Sequence, residues 1–280
     1  MAGLPERRRA GALEVYRHPW VVRIAHVLNA ACLLVLLTSG LQIFNAHPAL
    51  YWGETSHFES PVAAIRSDLN ADGTMTGRLQ ALGGSFDTTG VLGASRGADG
   101  SWEARAMPAW LTLPPYADLG AGRAWHFAFA WLLVANGAVY LTHGMLSGRL
   151  RAQLLPTRED LGGLGRSIVE HLRLRFPHGE AARHYNGLQK LAYLGVIAGA
   201  LPIMLASGLA MSPTVHAAAP WLGDMFGGRQ SARTVHFLTM LALVGFVVVH
   251  LAMVLAAGPV RELRAIITGW YRIEKKQESA

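Results

Sequence analysis

Two histidines inside one apolar stretch are the first residues in this sequence whose placement demands chemistry. Thr234 to Ala257 supplies the roughly 20 apolar residues that a helix needs to cross a bilayer core, and it contains His236 and His250. Their spacing of 14 residues corresponds to about 21 Å along a helix and returns the second ring to within roughly 40° of the first ring's face. Each therefore lies near one membrane boundary. An imidazole in hydrocarbon is costly and marks a cavity, a proton relay or a ligand position. Two on one face, near opposite ends, point to two stacked ligand sites.

Further histidines complete the pattern. Arg23 precedes His26 by three residues, Arg123 precedes His126 and Arg233 precedes His236, so in each case the arginine shares the histidine's helix face. Any one of these arginines could simply extend to water at a membrane boundary. Together they suit haem, whose iron takes imidazole ligands and whose propionates pair with guanidinium groups nearer the surface. Zinc would want a tight cluster of ligands that the sequence does not present. Depth then pairs the ligands, His26 with His250 at one boundary and His126 with His236 at the other, which makes two bis-histidine haems b. His143 is the competing partner at the first level. Its 17-residue separation from His126 turns it about 100° away from that face. His18, just outside the first span, reads as a boundary residue.

These histidines need four spans to hold them. The chain has 280 residues, 51% of them hydrophobic and 15% charged, with a positive mean hydropathy of 0.26. That composition belongs to a polytopic membrane protein. The expected fold is an all-α integral membrane four-helix bundle in a single domain over 1–280. Its spans lie at about 21–44, 124–146, 188–211 and 234–257, joined by long loops at 46–122 and 147–187. The first span is too long for a signal-peptide core and has no clear cleavage site, so it reads as an uncleaved anchor. Lys and Arg number five up to Arg23, eight from Arg149 to Lys190 and five from Arg261 onward. Basic flanks stay inside, so both termini and the 147–187 loop are expected in the cytoplasm of a bacterium. The 46–122 loop is then periplasmic. The net charge of +7 is explained by these flanks, and nucleic acid is not implied. The lone Cys32 excludes disulfides, iron–sulfur ligation and thioether haem attachment by this chain.

The connecting segments carry weaker signals. DLNADG, LGGSFDTTG and SRGADG are turn clusters, and the 46–122 loop reads as turns and short strands. Tyr51, Trp52, Trp102, Trp110 and the PAWLTLPPY run suit either a membrane interface or a docking surface for a redox partner. His47 and His57 read as surface residues. Thr157 with Asp160 resembles a helix cap, and Leu161, Leu164, Ile168 and Leu172 recur at helical spacing, as in a helix lying on the membrane. An internal echo is also present. Arg17-His18 and Arg183-His184 each precede a span that closes with Ser-Gly-Leu, at Ser39-Gly40-Leu41 and at Ser207-Gly208-Leu209. It fits either an old duplication or a repeated need for small residues at helix crossings. In the run from Tyr185 to Lys190 (YNGLQK), Asn186, Gln189 and Lys190 could cap a helix or bind a quinone headgroup, to which Asn offers hydrogen bonds and Lys charge.

The early His26, the late His126, the pair His236 and His250, and the YNGLQK run together resemble the cytochrome b subunits of the formate dehydrogenase gamma, nickel hydrogenase and thiosulfate reductase type. The PAWLTLPP, GLAMSP and GRQSARTVHF runs are most similar to the thiosulfate reductase branch. Leu188, where formate dehydrogenase subunits have glycine, and the longer first loop set the chain apart from those subunits. The resemblance implies that His26, His126, His236 and His250 hold two haems b, and that a quinone binds near Asn186, with Gln189 and Lys190 close by. It also implies a periplasmic redox partner, a molybdopterin oxidoreductase subunit or a cytochrome. The expected function is electron relay between that partner and the quinone pool of the respiratory chain, in the lipid of the inner membrane. Such a chain is an electron-transfer and anchor subunit rather than a catalyst on its own. The alternatives are a single-haem or ascorbate-type transmembrane reductase and a proton or metal transporter using the same histidines. A visible spectrum separates the last from the others.

Overall fold

The computed structural model describes residues 5–9, 12–97, 99–173 and 186–273. Four helices are long and apolar enough to cross a membrane: Trp20–Phe44, Leu119–Leu146, Gly187–Ala210 and Arg229–Ala257. No more than 11% of any of their apolar windows is buried within the chain. Surfaces so apolar and so little covered by protein need lipid around them. A helix bonds most of its backbone groups internally, so each span meets the bilayer's main demand.

Two of these helices begin five residues before the spans expected from hydropathy, at Leu119 rather than Ala124 and at Arg229 rather than Thr234. Caps outside the apolar stretch explain the extra turns. The Asp118 carboxylate accepts from the backbone N–H of Ala121 at 2.9 Å. At the fourth span, the Glu54 carboxylate accepts from Arg229 N–H at 2.9 Å. The Gly53 carbonyl accepts from the N–H groups of Gln230 and Ser231, both at 3.1 Å. Free N–H donors at a helix start are thus satisfied from the loop that follows the first span. Gly228 permits the contact, because a Cβ there would lie 2.7 Å from the backbone of Gly53 and Glu54, and its φ is +112°. The third span contains a π-helical turn at Gly195–Ala200, just before Pro202, which cannot donate to the helix ladder.

Contacts divide the chain into two compact units. The first comprises Met1–Leu28, Ala135–Leu201 and Ala242–Ala280, the second Asn29–Val134 and Pro202–Leu241. Both contain sheet, which corrects the all-α expectation: among the described residues helix accounts for 59% and strand for 16%. In the second unit, β3 (Ala49–Leu50), β4 (Ala63–Leu69), β5 (Met75–Ala81) and β6 (Gly84–Asp87) form an antiparallel sheet, and β7 (Gly93–Arg96) pairs with β8 (Trp102–Arg105). The turn clusters of the sequence are its hairpins. Asp72 caps the β4–β5 turn through Thr74, and Asp99 caps the β7–β8 turn through Ser101. Leu82 and Gly83 link β5 to β6 with positive φ at both residues, the geometry that suits a two-residue hairpin. Ile65, Leu50, Ala106 and Met107 from this layer pack on Leu41 and Phe44 of the first span, with Phe237 and Met240 of the fourth alongside.

In the first unit, β1 (Glu6–Arg9), β2 (Ala12–Tyr16) and β9 (Trp270–Ile273) form a three-stranded antiparallel sheet, and the helix Pro259–Thr268 packs on it through Ala265. The polar N-terminal arm is thus a strand pair. Glu14, only 2% exposed, is held between Arg7 at 2.9 Å and Arg264 at 2.6 Å. Burial pushes its carboxyl up, the hydrogen bonds and charges of the two arginines push it down, and the arginines prevail, leaving it below its ordinary 4.5. Thr157 and Asp160 form the expected capping box, and short helices follow at Arg158–Gly162 and Leu164–Leu172.

Candidate functional site

Each compact unit presents one pair of facing histidines. In the second unit, His126 of the second span meets His236 of the fourth, with ring centroids 6.3 Å apart and planes at 60°. In the first unit, His26 of the first span meets His250 of the fourth, again at 6.3 Å and with planes at 53°. These are the two pairs expected from depth along the spans. No ring contact joins His143 to His26 or His250 among the described residues, although its Nε2 is buried and without a hydrogen-bond partner there.

The separation itself tests what such a pair can hold. A metal–imidazole bond of about 2.0 to 2.1 Å, with the ring nitrogen about 1.1 Å from the ring centre, places two axial rings about 6.2 to 6.4 Å apart. Both pairs satisfy that. Among the described residues no three His, Cys, Asp or Glu side chains gather to hold a bare metal ion. Two opposed imidazoles suit a metal whose remaining ligands come from its own macrocycle, and the residues fit haem.

The surroundings of the pairs differ. Ser39 Oγ lies 3.1 Å from His126 Nδ1, and Ser207 Oγ lies 3.1 Å from His236 Nδ1. The adjacent glycines leave room for the rings: a Cβ at Gly40 would stand 3.2 Å from His126 Cε1, and one at Gly208 would stand 3.3 Å from His236 Cε1. The Ser-Gly echo in the sequence is therefore a pair of histidine seats, a role the spacing alone did not reveal. The other half of that echo, Arg183 and His184, lies outside the described residues, as does Tyr185. Around His250 the neighbours are aromatic. Phe246 stacks on it at 5.9 Å, and Tyr193 meets Phe246 edge-on at 6.3 Å. Asn136 donates to the Ala25 carbonyl at 2.9 Å, beside His26. His18, outside the span, is driven down to about 4 by burial first and then by the positive charge of Arg17, with His26, Arg149 and Arg23 adding to it. It stays neutral at pH 7.

The three arginines have unequal surroundings. Arg23 donates from Nε to the Ile266 carbonyl at 3.1 Å and from Nη2 to the Ile267 carbonyl, binding the last turn of the helix Pro259–Thr268 where cations are favoured. Arg233 donates to the His47 carbonyl and sits 5.7 Å from the Phe44 ring. Arg123 is exposed and lies over Phe127 at 5.6 Å. A guanidinium has five donors, so each arginine retains some for a second partner.

At the start of the third span, Asn186 Oδ1 accepts from Gln189 N–H at 2.9 Å, and Gln189 Oε1 accepts from Asn186 N–H at 3.2 Å. This is a complete capping box. Lys190, buried, donates to Asp160 at 2.7 Å. That bond leads in holding the Asp160 carboxyl below its usual range, with the Thr157 N–H adding to it. The cap uses both acceptor oxygens of the amides and leaves their NH2 groups to donate elsewhere.

Four apolar helices with two facing imidazole pairs define a membrane protein built to hold haem. Residues 17–269 match the family model described as prokaryotic cytochrome b561, and the chain belongs to that family. It is a membrane cytochrome b, a haem-binding electron-transfer subunit. Over 151 residues, 54% of this chain and 72% of the relative, it is 42% identical to the putative protein-methionine-sulfoxide reductase subunit YedZ1 of Azospira oryzae. No solved structure matches it.

Proposed function

We propose that this chain is a dihaem relay, with one haem b held by His126 and His236 and a second by His26 and His250. The observation that carries this reading is the common 6.3 Å separation of the two pairs, a spacing at which each pair would hold one iron between its imidazoles. Haem, when bound, supplies the one-electron chemistry. The protein would supply imidazole nitrogens from the four histidines, guanidinium donors for propionates from Arg23, Arg123 and Arg233, and an apolar setting.

Electrons pass between a quinone, which hydrogen-bonds near Asn186, Gln189 and Lys190, and a redox partner on the 46–122 segment. The Lys and Arg distribution supports termini in the cytoplasm and that segment in the periplasm of a bacterial inner membrane. Trp110 and Tyr116, 75% and 61% exposed, are among the aromatic contacts it offers. The likeness to a reductase subunit favours a partner that carries the catalytic site, either a protein-methionine-sulfoxide reductase or a molybdopterin oxidoreductase.

Haem content per chain tests the reading. Purified wild-type protein should bind two haems b, and His236→Ala and His250→Ala should each bind about one. Full haem content in either variant would refute the pairing. One haem in the wild type would instead support a single-haem reductase subunit.

A further inference from the structure

The repeated Ser-Gly pair does more than make space. Ser39 and Ser207 are both fully buried, and each already spends its hydroxyl hydrogen on its own helix. Ser39 Oγ donates to the Val35 carbonyl at 2.6 Å, and Ser207 Oγ donates to the Ile203 carbonyl at 2.7 Å. What each serine presents to its histidine is therefore an oxygen lone pair. A contact of 3.1 Å between that lone pair and Nδ1 is a hydrogen bond only when Nδ1 carries the proton. At His236 a backbone carbonyl imposes the same choice, since Met204 O lies 3.1 Å from Nδ1. A carbonyl only accepts, so His236 is fixed as the Nδ1–H tautomer with Nε2 left free, and the Ser39 lone pair at 3.1 Å makes the same choice for His126.

The two seats repeat one another at 168 residues: Val35 with Ile203, Leu36 with Met204, Ser39 with Ser207, Gly40 with Gly208. The same local device is thus delivered to both members of the pair. At the His26–His250 pair, no side-chain hydroxyl hydrogen bond reaches either ring among the described residues.

We propose that Ser39 and Ser207 are positioning residues that direct Nε2 of His126 and His236 toward one haem iron and lower that haem's potential relative to a site without them. The inference rests on the reading that this pair holds a haem. Its physical basis is that accepting a hydrogen bond from Nδ1–H makes the imidazole a stronger donor to the metal, which favours ferric over ferrous iron.

The test is a redox titration of the two haems, followed optically, in Ser39→Ala and Ser207→Ala. Losing one such bond should reduce the ferric preference of one haem by about three- to tenfold, where tenfold is 59 mV for a one-electron couple. The expected result is two haems per chain, one midpoint raised and the other unmoved as an internal reference. Ser39→Thr, which keeps the hydroxyl, should leave both midpoints in place. If either serine variant fails to accumulate, the other carries the same test. Two haems per chain with both midpoints unchanged in a serine variant would overturn the proposal while leaving the haem assignment intact. Full haem retention in His126→Ala and His236→Ala would instead overturn the assignment.

Discussion

The most informative single substitution is Asn186→Asp, because the structure separates the two roles this residue can have. Its Oδ1 caps the third span by accepting from Gln189 N–H, and the reciprocal bond comes from the Asn186 backbone. Neither bond uses the side-chain NH2. Asp keeps the capping oxygen and adds a charge that a helix N-terminus favours, so stability should hold within about 0.5 kcal/mol. Ala removes the capping oxygen and should cost about 1 kcal/mol. A quinone carbonyl that accepts from the NH2 loses its donor in both variants. One or two hydrogen bonds of about 1.5 kcal/mol then correspond to roughly tenfold or more in quinol exchange. The assay is stopped-flow reduction of the haems by a quinol analogue, alongside thermal unfolding in the same detergent. Slow exchange in both variants, with a stability loss only in Asn186→Ala, fits the donor role. Normal exchange in Asn186→Asp would refute it and leave the run as a helix cap, with the quinone bound elsewhere.

Two further outcomes follow from the geometry. His143→Ala should retain both haems, since His26 and not His143 faces His250, and loss of one haem in the pyridine haemochrome assay would reverse that pairing. Glu14, with its carboxyl below 4.5 in the folded chain, contributes stability that is full at pH values above 4.5 and is lost as pH falls through its lowered value. Glu14→Gln should remove that acid-dependent part, roughly 1 to 2 kcal/mol given that Arg7 and Arg264 are more than a third exposed. Hydrogen exchange in β2 and β9 from pH 3 to pH 7 measures it, and an unchanged acid response in the variant would refute the assignment.

The spans and their histidines were legible because hydropathy and a 3.6-residue period are local properties, and a 14-residue spacing fixes a face without knowledge of the partner helix. What escaped were features whose cause lies far along the chain. Arg229 begins a helix because Glu54, 175 residues away, accepts from its N–H, and no window of sequence contains both. The β1–β2 pair begins with a run of charged residues that reads as a basic flank. Glu14 is buried only because Arg7 and Arg264 converge on it from two other elements. The Ser-Gly echo was visible as a pattern, but its meaning required the contact between Ser39 and His126, 87 residues apart.

The same long-range contacts decide how the 46–122 segment is to be understood. A merely solvated excursion would leave the start of the fourth span to cap itself, yet Gly53 and Glu54 cap it, and Ser231 Oγ accepts from Gly53 N–H at 2.7 Å. One turn on, Thr234 donates to the Tyr51 carbonyl at 2.7 Å, and Arg233 donates to the His47 carbonyl. Five of the six positions from Arg229 to Thr234 are thus bonded to residues 47–54, which open the segment. His47 and Tyr51 stack at 5.6 Å, and Phe58 meets both rings edge-on, so these two residues, whose carbonyls hold the helix, are themselves fixed by the segment's aromatic packing. Any load on those residues bears on the helical turn that carries His236. The opening of the segment thus braces the turn that presents His236 to His126, which gives these residues a structural role beyond linking two spans.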